Sequence, residues 1–248
     1  MRILITNDDG YEAKGIRILA EVLGRDHDVW IIAPDRNRSA VSHSITFATP
    51  ESPVRLKPVG EHSFACTGLP VDCTINGIRG IMEPLPDVVI SGINEGVNIG
   101  TDLLFSGTAA AARQASLYGI PAIAVSADSP SGRWNYEPLA VFVRDNLDIL
   151  VSLCEPWLFL NINALDVAPY RGCKCTSLSR RFYSDILNIY DGEDGRVLSH
   201  FTSGTIESEG DEYADARAVE EGYVSVSRIY AQPAAAGSGG FENLQFHL

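Results

Sequence analysis

Lysine is nearly missing from this chain of 248 residues: three stand in it, Lys14, Lys57 and Lys174. Lysine and arginine together number 19 against 32 aspartates and glutamates, a formal net charge of −13. A surface of that sign repels nucleic-acid backbones and anionic membranes, so neither is expected as a partner. Any phosphorylated substrate then needs a local positive centre against the global field, and a bound metal ion supplies one. Long hydrophobic runs are lacking as well, none reaching the roughly 18 residues of a membrane helix. Residues 1–6 already read as a strand rather than a leader peptide, so a soluble, cytoplasmic protein is expected. The five cysteines form no C-x-x-C pair, only the C-x-C of Cys173 and Cys175, and read as thiols of a reducing compartment. None of the five histidines, at 27, 43, 62, 200 and 247, stands at H-x-x-x-H spacing, which argues against zinc. G-x-G-x-x-G and the Walker lysine are absent too, although "SGINEGVNIG" is rich in glycine.

What is present is an ordinary globular balance, 45% apolar and 21% charged residues. "RILIT" (2–6), "DVWIIAP" (28–34), "DVVISGIN" (87–94), "PAIAVS" (121–126) and "WLFLNIN" (157–163) are short and continuously apolar. Strands buried on both faces have that composition. Between them, 13–25, 71–82, 107–119 and 138–153 carry helical spacing. Strand–helix alternation predicts an α/β fold with a doubly wound, mostly parallel sheet. Residues 40–70, rich in Thr, Val and Pro, predict a β excursion. From about 165 the pattern changes to hairpins around "DGEDG", and a strand closes the run 208–230. The division expected is a catalytic core over 1–165, a smaller β-rich, hairpin-bearing part over 166–230, and a flexible tail or arm over 231–248.

In an open parallel sheet the ligand site lies beyond the carboxyl ends of the strands. After the first strand come Asn7, Asp8, Asp9 and Gly10, two adjacent carboxylates that repel each other at a buried edge. "DRNRSA" follows the second strand, and the third runs into "SGINEGVNIGTDLLFSGT"; Asp128 follows the next. Oxygen donors thus collect at successive strand ends, the ligand chemistry of Mg²⁺ or Mn²⁺. A helix N-cap alone would also explain an aspartate here, but not the convergence of the other loops. Ser106, Gly107 and Thr108 precede an alanine-rich helix, where backbone N–H groups and hydroxyls form a phosphate cradle.

"MRILITNDDGYEAKGI", "APDRNRSAVSHSIT", "GLPVDC", "SGINEGVNIGTDLLFSGTAAAA" and "GIPAIAVS", followed by "LNIN" and "EGYVSVS", resemble the SurE (survival protein E) nucleotidase family. The blocks agree in order and separation to about residue 230. The resemblance implies a three-layer Rossmann-like core and a phosphatase that needs one divalent cation per subunit. Its substrates would be nucleoside 5′- and 3′-monophosphates, with short polyphosphate besides. Carried over by position, Asp8, Asp9, Ser39 and Asn94 are the metal ligands, with Asp8 and Asp9 also catalytic. Asn98, Ser106, Gly107 and Thr108 lie around the phosphate. A homodimer or homotetramer is implied, with an exchanged C-terminal arm. Tyr11, Leu69 and Phe105 depart from the family pattern, the last two where they reshape the substrate pocket.

The expected chemistry is attack on phosphorus by a water acidified by the metal. No leaving-group acid is evident in these loops except His43. Two rivals come from other classes: a receiver-like Mg²⁺-binding signalling module and a non-catalytic nucleotide-binding protein. The first requires a lysine after a later core strand, which the three lysines do not provide. The second has no use for paired metal ligands.

Overall fold

The computed structural model describes residues 1–192 and 195–234. The expected tail or arm therefore lies, from residue 235 on, outside the described residues. The chain runs β1 (Arg2–Thr6), α1 (Lys14–Leu23), β2 (Asp28–Pro34), β3 (Leu56–Gly60), β4 (Ser63–Cys66) and α2 (Pro70–Asn76). It continues through β5 (Val88–Glu95), α3 (Gly107–Leu117), β6 (Ala122–Asp128), α4 (Glu137–Asp145), α5 (Leu147–Ser152) and β7 (Leu158–Leu165). Then come β8 (Cys173–Cys175), β9 (Arg180–Tyr183), β10 (Ile186–Asp191), β11 (Val197–Thr202), β12 (Ile206–Glu209), α6 (Asp215–Glu220) and β13 (Val224–Tyr230).

Nine strands form one sheet in the order β3-β4-β2-β1-β5-β6-β7-β13-β8. From β4 to β7 every pairing is parallel; β3 and β13 join antiparallel near the two edges. The order reverses direction at β1, which places a switch point between β1 and β5. Two further antiparallel pairs, β10–β11 and β9–β12, stand off the sheet.

Alternate side chains of β1 show why the strands are continuously apolar. Ile3 and Ile5 pack with Ile16, Leu19 and Leu23 of α1 and Leu139 and Val143 of α4. Leu4, between them, packs on the opposite face with Cys73 of α2 and Ala109, Ala112 and Ala115 of α3. Helices cover both faces, so every β1 side chain is fully buried from Ile3 on.

Two expected helices differ from their spacing. The one expected over 71–82 ends at Asn76 and passes into a π-helical turn, Gly77–Ile81, against Leu4. The one expected over 138–153 is two helices: Asn146 at the junction returns its side-chain amide to Phe142 O at 2.8 Å, a local bond that competes with the helical ladder. The β excursion is the hairpin β3–β4, which extends the sheet beyond β2.

Candidate active site

Asn7 closes the turn after β1: its Nδ2 donates to Gly10 O at 2.9 Å, and its Oδ1 accepts from Gly10 N at 3.1 Å. This bracket holds Asp8 and Asp9 at the sheet's carboxyl edge. Asp8 is 4% exposed. Its Oδ1 accepts from Thr108 Oγ1 at 2.5 Å, across 100 residues of chain. Burial pushes the Asp8 carboxyl up from its ordinary range, opposed by the Thr108 hydroxyl and by backbone amides that include Thr108 and Gly107. The positive end of α3 therefore points at this carboxylate. A Cβ on Gly107 would lie 2.8 Å from Asp8 Cβ, so only glycine lets the helix start come this close.

Asp9 is pushed up to about 6, by burial first and then by the charges of Asp8 and Glu95. Its Oδ2 accepts from Glu95 N at 3.2 Å and its Oδ1 from Asn37 Nδ2 at 3.5 Å. Among the described residues neither aspartate is in an ion pair.

Asn94 reaches the site through an irregularity in β5, whose pairing with β6 shifts between Ser91 and Asn94. Gly92 makes the shift possible, with φ +141° and no room for a Cβ, which would stand 2.2 Å from Val125 O. Asn94 Nδ2 donates to Gly96 O at 2.7 Å, leaving Oδ1 turned to Thr108 Oγ1 at 3.4 Å. Ser39 is exposed, in a loop whose Asn37 Oδ1 accepts from Ser39 N at 2.9 Å.

Asp8, Ser39, Asn94, Asn98 and Ser106 open onto one cleft of about 270 Å³. Asp9 faces a neighbouring cleft of about 330 Å³ with Lys14, Asn37 and Tyr136, and Ser39 and Glu95 line both. Ser106 caps α3, accepting from Ala109 N at 3.0 Å. Gly107 and Thr108 stand behind Asp8; Thr108 is wholly buried and directs its hydroxyl at that carboxylate. Two carboxylates that form no ion pair among the described residues, an amide oxygen and a hydroxyl fit a hard divalent ion. No cluster of three His, Cys, Asp or Glu side chains exists among the described residues, so oxygen donors of other types must complete such a site.

Two residues considered from sequence lie elsewhere. His43 sets Nε2 3.0 Å from Gln114 Oε1 and lines a separate apolar cavity with Leu104 and Arg113. Asp128 turns its Oδ1 back to its neighbour's amide, Ser129 N, at 2.9 Å and lines neither cleft.

Beside Asn98, which the sequence pointed to, stand Asn161, Asn163, Asp102 and Tyr183, which it did not. Asn98 is fixed by Asn163, whose Oδ1 accepts from Asn98 N at 2.8 Å, while Asn161 and Asn163 Nδ2 donate to Asn98 O at 2.9 and 3.1 Å. The signal was two asparagines within the buried strand "LNIN". Asp102 and Tyr183 also line the first cleft. They are 81 residues apart, and no local pattern links them.

The family model described as "Survival protein SurE" matches residues 3–185. The chain belongs to the SurE family. A "5'-nucleotidase SurE" of Synechococcus sp. (strain JA-3-3Ab) is 38% identical, the match covering 99% of this chain and 96% of that protein. One of Desulfitobacterium hafniense (strain DSM 10664 / DCB-2) is 39% identical over 93% of this chain and 91% of its own length. The crystal structure of a SurE protein from Aquifex aeolicus superposes with a TM-score of 0.80 at 32% identity, covering 94% of this chain and 95% of that one. SurE membership accords with the α/β, mostly parallel sheet.

Proposed function

We propose that this SurE chain is a divalent-metal-dependent phosphomonoesterase hydrolysing nucleoside 5′- and 3′-monophosphates, and short polyphosphate besides. Its full-length relatives bear the name 5'-nucleotidase. The observation that carries the metal requirement is the adjacent pair Asp8 and Asp9 on the clefts at the sheet's carboxyl edge, desolvated and, among the described residues, in no ion pair. Asp8, Asp9, Ser39 and Asn94 would hold one Mg²⁺ or Mn²⁺. When bound, such an ion polarises a phosphate oxygen and acidifies water.

The chain's own groups do the rest. Ser106 Oγ already accepts from Ala109 N, so its proton is free to donate to a phosphoryl oxygen. The amides at the start of α3 and the Asn98 side chain on the same cleft meet the charge that develops on phosphorus-bound oxygens. Asp9 Oδ1, held only by the long Asn37 contact, can take the proton of the attacking water. Water adds to phosphorus, the ester P–O bond breaks, and the nucleoside leaves as its alcohol, the departing oxygen taking its proton from solvent water. Thr108 orients Asp8 in this scheme, positioning the carboxylate rather than touching substrate.

Assembly as a homodimer or homotetramer, in the cytoplasm, belongs to the same proposal. Support for assembly comes from the β10–β11 hairpin, which exposes Ile189, Val197 and Phe201. Among the described residues no helix is long and apolar enough to cross a membrane.

The test is phosphate release from adenosine 5′-monophosphate with Mn²⁺ or Mg²⁺, then with excess chelator, wild type beside Asp8→Asn. Turnover that requires the metal and falls at least ~10³-fold in the variant supports the reading. No hydrolysis of any nucleoside monophosphate or polyphosphate under either metal overturns it.

A further inference from the structure

Two aromatic rings share the cleft with Asp8 and lack any role in the chemistry above: Phe105 and Tyr183. They are 57% and 44% exposed, so both rings present surface to the cleft, and the Arg181 guanidinium lies 5.9 Å from the centre of the Tyr183 ring. Neither is loosely held. Phe105 N donates to Asp102 O at 2.9 Å, and Phe105 O accepts from Ser42 N at 3.0 Å, so the backbone is fixed while the ring is left out. The Tyr183 hydroxyl donates to Asp102 Oδ1. Both rings thus hang from one residue, Asp102, in the short 3₁₀ turn Gly100–Leu104.

That turn is secured to β9 by further contacts. Arg181 N donates to Thr101 Oγ1 at 2.9 Å, and Arg181 Nη1 pairs with Asp102 Oδ2 at 3.1 Å, both side chains largely buried. On its other side Gly100 N donates to Asp215 Oδ2 at 2.8 Å, while Asp215 Oδ1 accepts from Ser179 N at 2.9 Å. The ion pair also neutralises Asp102, which would otherwise repel a nucleotide. Phe105 directly precedes Ser106, the cap of the phosphate cradle, so its ring stands one residue from where a phosphate would sit.

We infer that Phe105 and Tyr183 form the nucleobase subsite, holding the planar base against two rings that Asp102 and Arg181 keep in place. The inference rests on the nucleotidase reading and adds what selects a nucleotide over other phosphomonoesters. Stacking suits this geometry, because each ring has its edge or backbone anchored and is about half exposed on the cleft, and every base offers a π-face.

Ribose 5-phosphate carries the same phosphoester without a base. The experiment compares kcat/KM for adenosine 5′-monophosphate and ribose 5-phosphate in wild type, Phe105→Ala, Tyr183→Ala and Phe105→Trp, at saturating Mn²⁺. The ratio of the two is expected to fall about tenfold in each alanine variant, chiefly through KM for the nucleotide, and to recover in Phe105→Trp. A ratio unchanged in both alanine variants overturns the subsite, as does a parallel loss for both substrates. Adenosine binding by calorimetry needs no turnover: wild type and Asp8→Asn should bind it, Phe105→Ala about tenfold more weakly. Binding that depends on Phe105 without any hydrolysis would leave the subsite standing and overturn the nucleotidase reading. Hydrolysis with adenosine binding indifferent to Phe105 would do the reverse.

Discussion

Asp9 stands beside a second carboxylate, so its charge is costly until something positive arrives. Its folded pKa, about 6 against an ordinary 3.8, means that the folded chain takes up a proton before the unfolded chain does as pH falls. Stability from this group is therefore fully present below pH 3.8, is lost as pH rises through about 6, and stays lower above. Asp9→Asn removes the ionisation. In metal-free protein at pH 8 the variant should be more stable by about 1 kcal/mol, a figure discounted for the partial exposure of Asp9, or roughly 2–4 °C in Tm. At pH 5 the gap should narrow, because folded wild-type Asp9 is then mostly protonated, and it should close only below pH 3.8. Adding Mn²⁺ at pH 8 should reverse the order, since only the wild type gains the full ligand set. Thermal unfolding at both pH values, with chelator and then with metal, checks each arm. A gap of equal size at pH 5 and pH 8 would place its origin outside this carboxyl. The pairing itself was legible in "NDDG", because adjacent acids after an apolar strand require compensation. The Thr108 hydroxyl that orders Asp8 was legible only as part of a helix start, since a side chain's direction depends on how the helix packs.

At the scale of elements, the loop carrying Ser39 is held from its far end by Asp72 of α2. Asp72 Oδ2 accepts from Thr46 Oγ1 at 2.5 Å and from Leu69 N at 2.8 Å, and Oδ1 accepts from Thr46 N at 3.1 Å. A second anchor is Ser42, whose Oγ donates to Leu104 O at 2.7 Å. Asp72→Ala removes the first anchor and leaves these donors unpaired, at about 1–3 kcal/mol. Because the other proposed ligands are untouched, the Mn²⁺ concentration giving half-maximal activity should rise several-fold while kcat at saturating metal changes less than about twofold. An unchanged metal requirement would mean that the Ser42 anchor alone sets the position of Ser39. The core elements were readable because burial on both faces leaves a continuous apolar run, and the strand-end rule then locates the site. Long-range pairings were not. β13 inserts between β7 and β8, antiparallel to the first and parallel to the second, and β9 docks on the turn Gly100–Leu104, by contacts whose partners are remote in sequence. The break at Asn146 was hidden because the apolar spacing continues through it, while the backbone there leaves the helical region, with φ −115° and ψ 10°.

On the scale of the whole molecule, the net charge of −13 acts against any nucleotide approaching from solution. The cleft adds to this, since Asp8, Glu95 and Asp102 line it and Arg181 offsets only the last of them. A bound divalent ion reverses the sign locally, whereas the net charge of the surface acts on a nucleotide still outside the cleft, out to the Debye length. That length shrinks from about 30 Å at 0.01 M salt to about 8 Å at 0.15 M. Screening should then help rather than hinder association. For adenosine 5′-monophosphate at saturating Mn²⁺, kcat/KM should rise about two- to threefold over that range, opposite to an electrostatically steered enzyme. Adenosine, which carries no charge, should bind with an affinity nearly independent of salt. Measuring both against sodium chloride separates the two fields. A steep fall for the nucleotide alone would show that the metal and the start of α3 dominate capture, and that the acidic surface governs solubility without reaching the site.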